Sequence, residues 1–493
     1  MKKIAKLLSL LLCLALCLSA AAFASGEASG EASDGAYVAS SEGSSAGIEY
    51  GYTGSGAGLT VSGAVNAQGE ETVLENQAII AVGSSAIQDS GTTSIVARDS
   101  VIVGVDPAPT APLTGNPGNL LVAGNVRTTL ALSQSHAYYI NSTILSSNWA
   151  ALSTDGAVPA TEEGQEELSL YAYGSLARTI EGGYGAYSDL FCNLYLYGSD
   201  IEAAEIGIIS GTYGSVVIGT IADGEADENM AARLTDGDKD TRSDKDQGSI
   251  VSGGRNAIMI HSVNLPPYWE YEGYSQEELP LHSTFIAVKG STLRTDLDLD
   301  MGIEYDAQKQ AYIDHTAGSV ILIKSTNAEL ALVDTQLIAD PAGTGAVLHS
   351  VYNNDTMFMN AVPDGEQYPG IQVYLTASDV TGDVIHEDYQ RDMNLLLTDS
   401  TLTGAVNGYD CDHWNAAAAA EGFTDYALDA SYATAHGVSI TLENGSAWTV
   451  TGESHLNGLT VDESSAVIGA MTVDGVPTDI VPGEYFGDIV LTP

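Results

Sequence analysis

Cationic side chains are what this sequence has least of: 16 Lys+Arg stand against 65 Asp+Glu, a formal net charge of −49. Lys2, Lys3 and Lys6 lie at the extreme N-terminus, and removing those three takes −49 to −52. A surface of that sign repels nucleic-acid phosphates and anionic lipid, so no nucleic-acid partner is expected. Cysteine is nearly as scarce. Of 4 in the chain, Cys13 and Cys17 fall in the N-terminal apolar run, which leaves Cys192 and Cys411 and excludes a disulfide-stapled scaffold. Beyond that run no apolar stretch approaches the roughly 18 residues of a transmembrane helix, so no membrane span is expected. Long 3.6-period patterns are missing too, and the best helix candidate is only Ala416 to Ala420.

What is present begins with an export signal. The three lysines precede an apolar run from Leu7 to Ala21 and then Ala22-Phe23-Ala24, which reads as a secretory signal peptide over residues 1–24. The expected location is therefore extracellular or cell-envelope associated. Residues 25–47 repeat Ser-Gly-Glu-Ala and read as a flexible leader. A G-x-S-x-G match at Gly43 to Gly47 falls inside that leader, away from the strand and helix a nucleophile elbow needs. The rest has material for a core, since 44% of residues are hydrophobic and 25 are Tyr. Short Val, Ile, Leu, Thr and Tyr runs broken by Gly, Asn, Asp and Ser make it predominantly β.

One phrase recurs: a small polar residue, any residue, then an apolar one. It appears at Ser100-Val101-Ile102, Ser142-Thr143-Ile144, Ser199-Asp200-Ile201, Ser291-Thr292-Leu293, Thr335-Gln336-Leu337, Ser378-Asp379-Val380, Ser400-Thr401-Leu402 and Ser446-Ala447-Trp448. Successive spacings of 42, 57, 92, 44, 43, 22 and 46 lie, apart from 57, near multiples of 22. A coil of roughly 22 residues fits a three-sided parallel β-helix. Residues 48–493 are then one all-β solenoid domain with insertions near 222–247, 265–281 and 410–435. Residues 48 to 75 and the tail from Val476, with Pro477 and Pro482, are expected to cap its ends. The stretch from Gly437 to Ile468 resembles the closing coils of passenger domains of bacterial autotransporter-type adhesins. More broadly, the repeat through residues 76 to 475 is similar to right-handed parallel β-helices of the pectin-lyase-like superfamily, which implies a right-handed coil. That resemblance implies the fold and leaves function open, because the scaffold hosts lyases, glycosidases, adhesins and phage spikes. No translocator barrel follows, so self-export through an outer membrane is not expected. On a rod of this kind Cys192 and Cys411 lie many coils apart and stay unpaired, each a small buried hydrophobe.

Chemistry is expected in the insertions. Asp236, Asp238, Asp240, Asp244 and Asp246 supply hard oxygen ligands of the kind calcium takes, the one cofactor the sequence suggests. Thr241 and Gln247 break the EF-hand pattern, and the alternative is a solvated acidic loop. Tyr268, Trp269, Tyr271 and Tyr274 form an aromatic cluster that either recognises a ligand or caps the core. Asp410, Cys411, Asp412 and His413 lack paired zinc-ligand spacing, and His386, Glu387 and Asp388 read likewise as chance neighbours. Asp296, Asp298 and Asp300 alternate onto one strand face as a candidate catalytic or cation cluster, without the Gly-His-Gly and Arg-Ile-Lys motifs that accompany such acids in the resembled family.

The expected function is adhesive or structural: a monomer presenting an extended face and loops to an extracellular glycan or surface protein. The alternative is a carbohydrate-active enzyme, a polysaccharide lyase or glycoside hydrolase, on the same fold.

Overall fold

At each recurring Ser or Thr the chain turns a corner. The residue before it is often Asn or Asp in the left-handed region, as at Asp99 (φ 49°), Asn141 (φ 49°), Asp334 (φ 48°) and Asp399 (φ 50°). These short polar side chains tolerate that conformation better than other L-residues. The hydroxyl then joins coil to coil. The N–H of Ser100 donates to Ser142 Oγ, Ser142 to Ser175, Ser175 to Ser199, Ser199 to Ser249 and Ser249 to Ser291, each at 3.0–3.1 Å. Thr335, Ser378, Ser400 and Ser446 continue the ladder at 3.1 Å.

The computed structural model describes residues 36–38, 60–68, 71–90, 94–106, 126–155, 167–180, 182–211, 213–261, 282–299, 315–351, 367–388, 391–407 and 437–493. It is a right-handed parallel β-helix with three faces. Each coil runs through a first-face strand such as Val101–Val105, a second-face strand such as Thr129–Leu132, and a third-face strand such as His136–Ile140, then turns at the next corner. The expected period needs correcting. Ser100 and Ser142 lie on adjacent coils, with Val101 paired to Thr143, so a spacing of 42 is one coil carrying extra residues and not two coils. The misfit of 57 resolves at Ser175 into steps of 33 and 24, and 92 resolves at Ser249 into 50 and 42. Twenty-two residues, as between Ser378 and Ser400, is the length of a coil with little added.

The apolar third position of the phrase is the core. Ile79, Ile102, Ile144, Ala177, Ile201, Val251, Leu293 and Leu337 stack in register up the first face. Val380, Leu402, Trp448 and Val467 form the same column in a four-stranded continuation. Fully burying one such aliphatic side chain contributes about 1.5–3 kcal/mol, and parallel stacking repeats the gain at every coil. At the C-terminal end Gly483–Thr492 pairs antiparallel with Ser454–Val461 and with Ala470–Val473, closing the last parallel edge as a cap. At the other end Ala36–Val38, inside the segment expected to be flexible, pairs antiparallel with Val65–Gln68.

The insertion after residue 220 is the main departure from the expected texture. It forms three short helices, α1 (Ile221–Ala226), α2 (Glu228–Ala231) and α3 (Asp236–Asp240). Their signal is local: Thr220 with Asp223, and Thr235 with Asp238, are capping boxes in which hydroxyl and carboxylate satisfy the first backbone N–H groups. Ile221 and Met230 pack on Tyr138, Tyr171, Tyr173 and Tyr197 of the third face. Below the helices Tyr138, Tyr171 and Tyr195 share a register row and stack at centroid distances of 4.8 and 4.4 Å. Among the described residues no helix is long and apolar enough to cross a membrane.

Candidate functional site

The second face carries a buried polar cluster. Its strands Ile321–Lys324, Ala346–Val351 and Asp383–Glu387 lie on successive coils, with Ile323, Ser350 and His386 in one row and Leu322, His349 and Ile385 in the next. Ile323 belongs to the core, so by strand alternation His349 and Glu387 point away from it. Both are nonetheless 0% exposed. His315, helical like Thr316, completes the group. His315 Nε2 lies 2.7 Å and His349 Nε2 2.9 Å from the same oxygen, Glu387 Oε2. Burial alone would raise the Glu387 carboxyl, but the hydrogen bonds and charge of the two imidazoles outweigh it and hold it down to about 2.

The surrounding side chains fix the rings. His349 Nδ1 is 3.1 Å from Ser319 Oγ, which in turn meets Thr344 Oγ1 at 2.9 Å. His386 Nε2 donates to the Arg391 carbonyl at 2.8 Å, so its Nδ1 accepts from Ser350 Oγ at 2.5 Å. Arg391 bonds Asp388 Oδ2 and Asn327 Oδ1 and stacks over Tyr368 at 4.6 Å. His386, Glu387 and Asp388, expected as chance neighbours, each belong to a buried hydrogen-bonded set: Glu387 with the two imidazoles, and His386 and Asp388 with Arg391. His315 and His349 carry no local motif; strand pairing places His349 on the strand next to that of Glu387, and His315 reaches the carboxylate from outside the paired strands. Among the described residues His315, His349 and Glu387 are the one group of three metal-type ligands whose atoms lie within 4.8 Å of one another.

The residues singled out from sequence lie elsewhere. Asp236, Asp240, Asp244 and Asp246 are exposed, while Asp238 is buried in its capping box and paired with Arg98. These five carboxylates form no ligand group among the described residues. Asp296 and Asp298 do not share a strand face: the strand ends at Thr295, and Leu297–Leu299 is a 3-10 turn in which the Asp298 N–H donates to Asp296 Oδ1. A short Asx turn competes there with extension of the strand. Asp300, Tyr268, Trp269, Tyr271, Tyr274, Asp410, Cys411, Asp412, His413 and the Ala416 to Ala420 helix candidate lie outside the described residues. Cys192 is a free, buried thiol whose proton is held more tightly by burial, as expected of a small hydrophobe.

Two further features bear on function. Two carboxylates meet beside aromatic rings at the edge of the second face. Asp155 pairs with Arg127 at 2.6 Å, and Arg127 lies over Trp149 at 4.2 Å. Trp149 has φ 67°, an uncommon and strained conformation for a bulky residue. Burial, together with the neighbouring Asp155 charge, pushes the Asp189 carboxyl up to about 7 against a hydrogen bond from the Leu190 N–H. The second feature is the third face beyond the helices. There Phe285, Glu329, Gln372, Asn394 and Ser439 form one outward row across five coils, with Tyr374 in the row beside it. Glu329, Asn394 and Tyr374 are exposed. No protein-family model matches the chain, and neither a curated protein nor a solved structure shows significant similarity to it.

Proposed function

We propose that this chain is a secreted β-helix of the pectin-lyase-like type with an adhesive or structural role, binding an extracellular glycan or surface protein as a monomer. The carrying observation is the asymmetry of the third face. Its first half is covered by α1 to α3 over the tyrosine row, whereas from Thr284–Lys289 onward the outward Glu329 and Asn394 are exposed and Gln372 and Ser439 half-buried beside the exposed Tyr374. A flat row of hydrogen-bonding groups repeated at about 4.8 Å, with an aromatic ring alongside, suits a repeating polar polymer, and many weak contacts on a rigid rod sum to useful avidity. The test is binding of the purified chain to an immobilised glycan panel and to host-surface proteins. Replacing Tyr374, Gln372 and Asn394 together by Ala is expected to weaken retention at least about tenfold, the equivalent of 1.4 kcal/mol. Unchanged retention would remove the open face from the account.

A carbohydrate-active enzyme is the second reading, and the Asp155–Asp189 pair favours it. A carboxyl pushed up to about 7 beside a second carboxylate that is paired with Arg127 is the kind of asymmetry that glycoside hydrolysis uses. Reducing ends released from a polysaccharide, and lost in Asp189→Asn, would replace the binding reading by this one.

A further inference from the structure

We propose that His315, His349 and Glu387 hold one divalent transition-metal ion, zinc by preference, which staples three successive coils. The three ligands come from the coils closed at Thr335, Ser378 and Ser400 respectively, so a bound ion links segments 72 residues apart in sequence. Two imidazole nitrogens and one carboxylate oxygen are a donor set that zinc takes in its three-ligand sites, with a water as the fourth ligand. Calcium is disfavoured, since it takes six to eight oxygens. Ligand atoms around a tetrahedral zinc lie about 3.3 Å apart, so the 2.7 and 2.9 Å contacts to Glu387 Oε2 open by roughly half an ångström on binding. The ion takes the place of the protons that the imidazoles share with the carboxylate. Ser319 then acts as a positioning residue: its hydroxyl at His349 Nδ1 orients the ring so that Nε2 faces the site. This site is independent of the open third face, and its test requires no glycan.

The experiment is titration of the chelator-stripped full chain with Zn2+ and, separately, with Co2+, whose visible spectrum reads coordination geometry directly. One Zn2+ per chain, an intense tetrahedral Co2+ spectrum and a thermal midpoint raised by the metal are expected. His349→Gln and Glu387→Gln should weaken binding more than about 100-fold, and Ser319→Ala about tenfold, whereas the exposed His455→Ala leaves it unchanged. Should either ligand variant fail to fold, the wild-type Co2+ spectrum and Ser319→Ala decide alone. Absence of stoichiometric uptake, an octahedral Co2+ spectrum, or full affinity in Ser319→Ala or His349→Gln would overturn the assignment.

Discussion

Arg98 Nε lies 2.9 Å from Asp238 Oδ2, tying a third-face strand to a helix 140 residues later in the chain. The same guanidinium reaches Glu75 Oε1 at 2.7 Å and the Arg233 carbonyl at 2.7 Å. Asp238 simultaneously accepts from the Thr235 N–H and hydroxyl. One carboxylate therefore caps α3 and locks the insertion onto the solenoid, so this single member of the acidic run serves packing while the other four are exposed.

Asp238→Ala removes a nearly buried pair member and a cap at once. Breaking one partner of such a pair costs about 3–5 kcal/mol. The loss should fall on the insertion and leave the stacked coils intact. Proteolytic nicking and amide exchange are expected to rise across 221–247, with the far-ultraviolet strand signal unchanged. Unaltered protection of that segment would mean the pair does not hold it.

The corner ladder gives a second prediction. Ser400 Oγ accepts from the buried Ser378 N–H and donates to the Leu375 or Thr398 carbonyl. Ser400→Ala leaves a buried N–H unpaired, at a cost of about 1–3 kcal/mol. Ser400→Thr should cost less, because Thr335 fills the same ladder position naturally. Equal urea midpoints for the Ala and Thr variants would show that the hydroxyl contributes nothing.

Much of the solenoid was legible in the sequence because its signal is local and repeats: every phrase found by pattern is a corner hydroxyl followed by a core-column residue. Ser175 and Ser249 escaped because Ala177 is a weak apolar signal and the helices precede Ser249. The coil length was misread since inserted residues bring many coils close to twice the short period. Thr-x-x-Asp spacing could have revealed α1 and α3. His315, His349 and Glu387 were out of reach, because separations of 34 and 38 residues carry no spacing rule; the paired register of the second face sets His349 and Glu387 on neighbouring strands, and His315 reaches them from outside those strands.

Stability should depend on pH in two opposed windows. Glu387 is held at about 2 in the fold against an ordinary 4.5, so its contribution is present above about 4.5 and is lost as pH falls toward 2. Asp189 is raised to about 7 from 3.8, so its contribution is present below about 3.8 and is lost as pH rises toward 7. Urea midpoints of the wild type should climb through the first window and decline across the second. Asp189→Asn is expected to abolish the decline, and parallel curves for the two proteins between pH 4 and pH 8 would refute the assignment.

Trp448 tests the stacked column itself. It is the largest fully buried side chain among the described residues, sits in register between Leu402 and Val467, and donates from Nε1 to the Gly404 carbonyl at 3.0 Å. Trp448→Ala opens a cavity in the column, and such truncations cost about 3–5 kcal/mol. Trp448→Phe retains most of the volume and removes one donor, and the Gly404 carbonyl keeps the Thr451 N–H at 3.4 Å, so the cost should stay near the roughly 1 kcal/mol of a single hydrogen bond. The difference between the two midpoints then measures packing apart from hydrogen bonding. If both variants lose the same stability, the Gly404 contact and not the column is what Trp448 supplies, and a core built by stacking one apolar residue per coil would fail at its largest member.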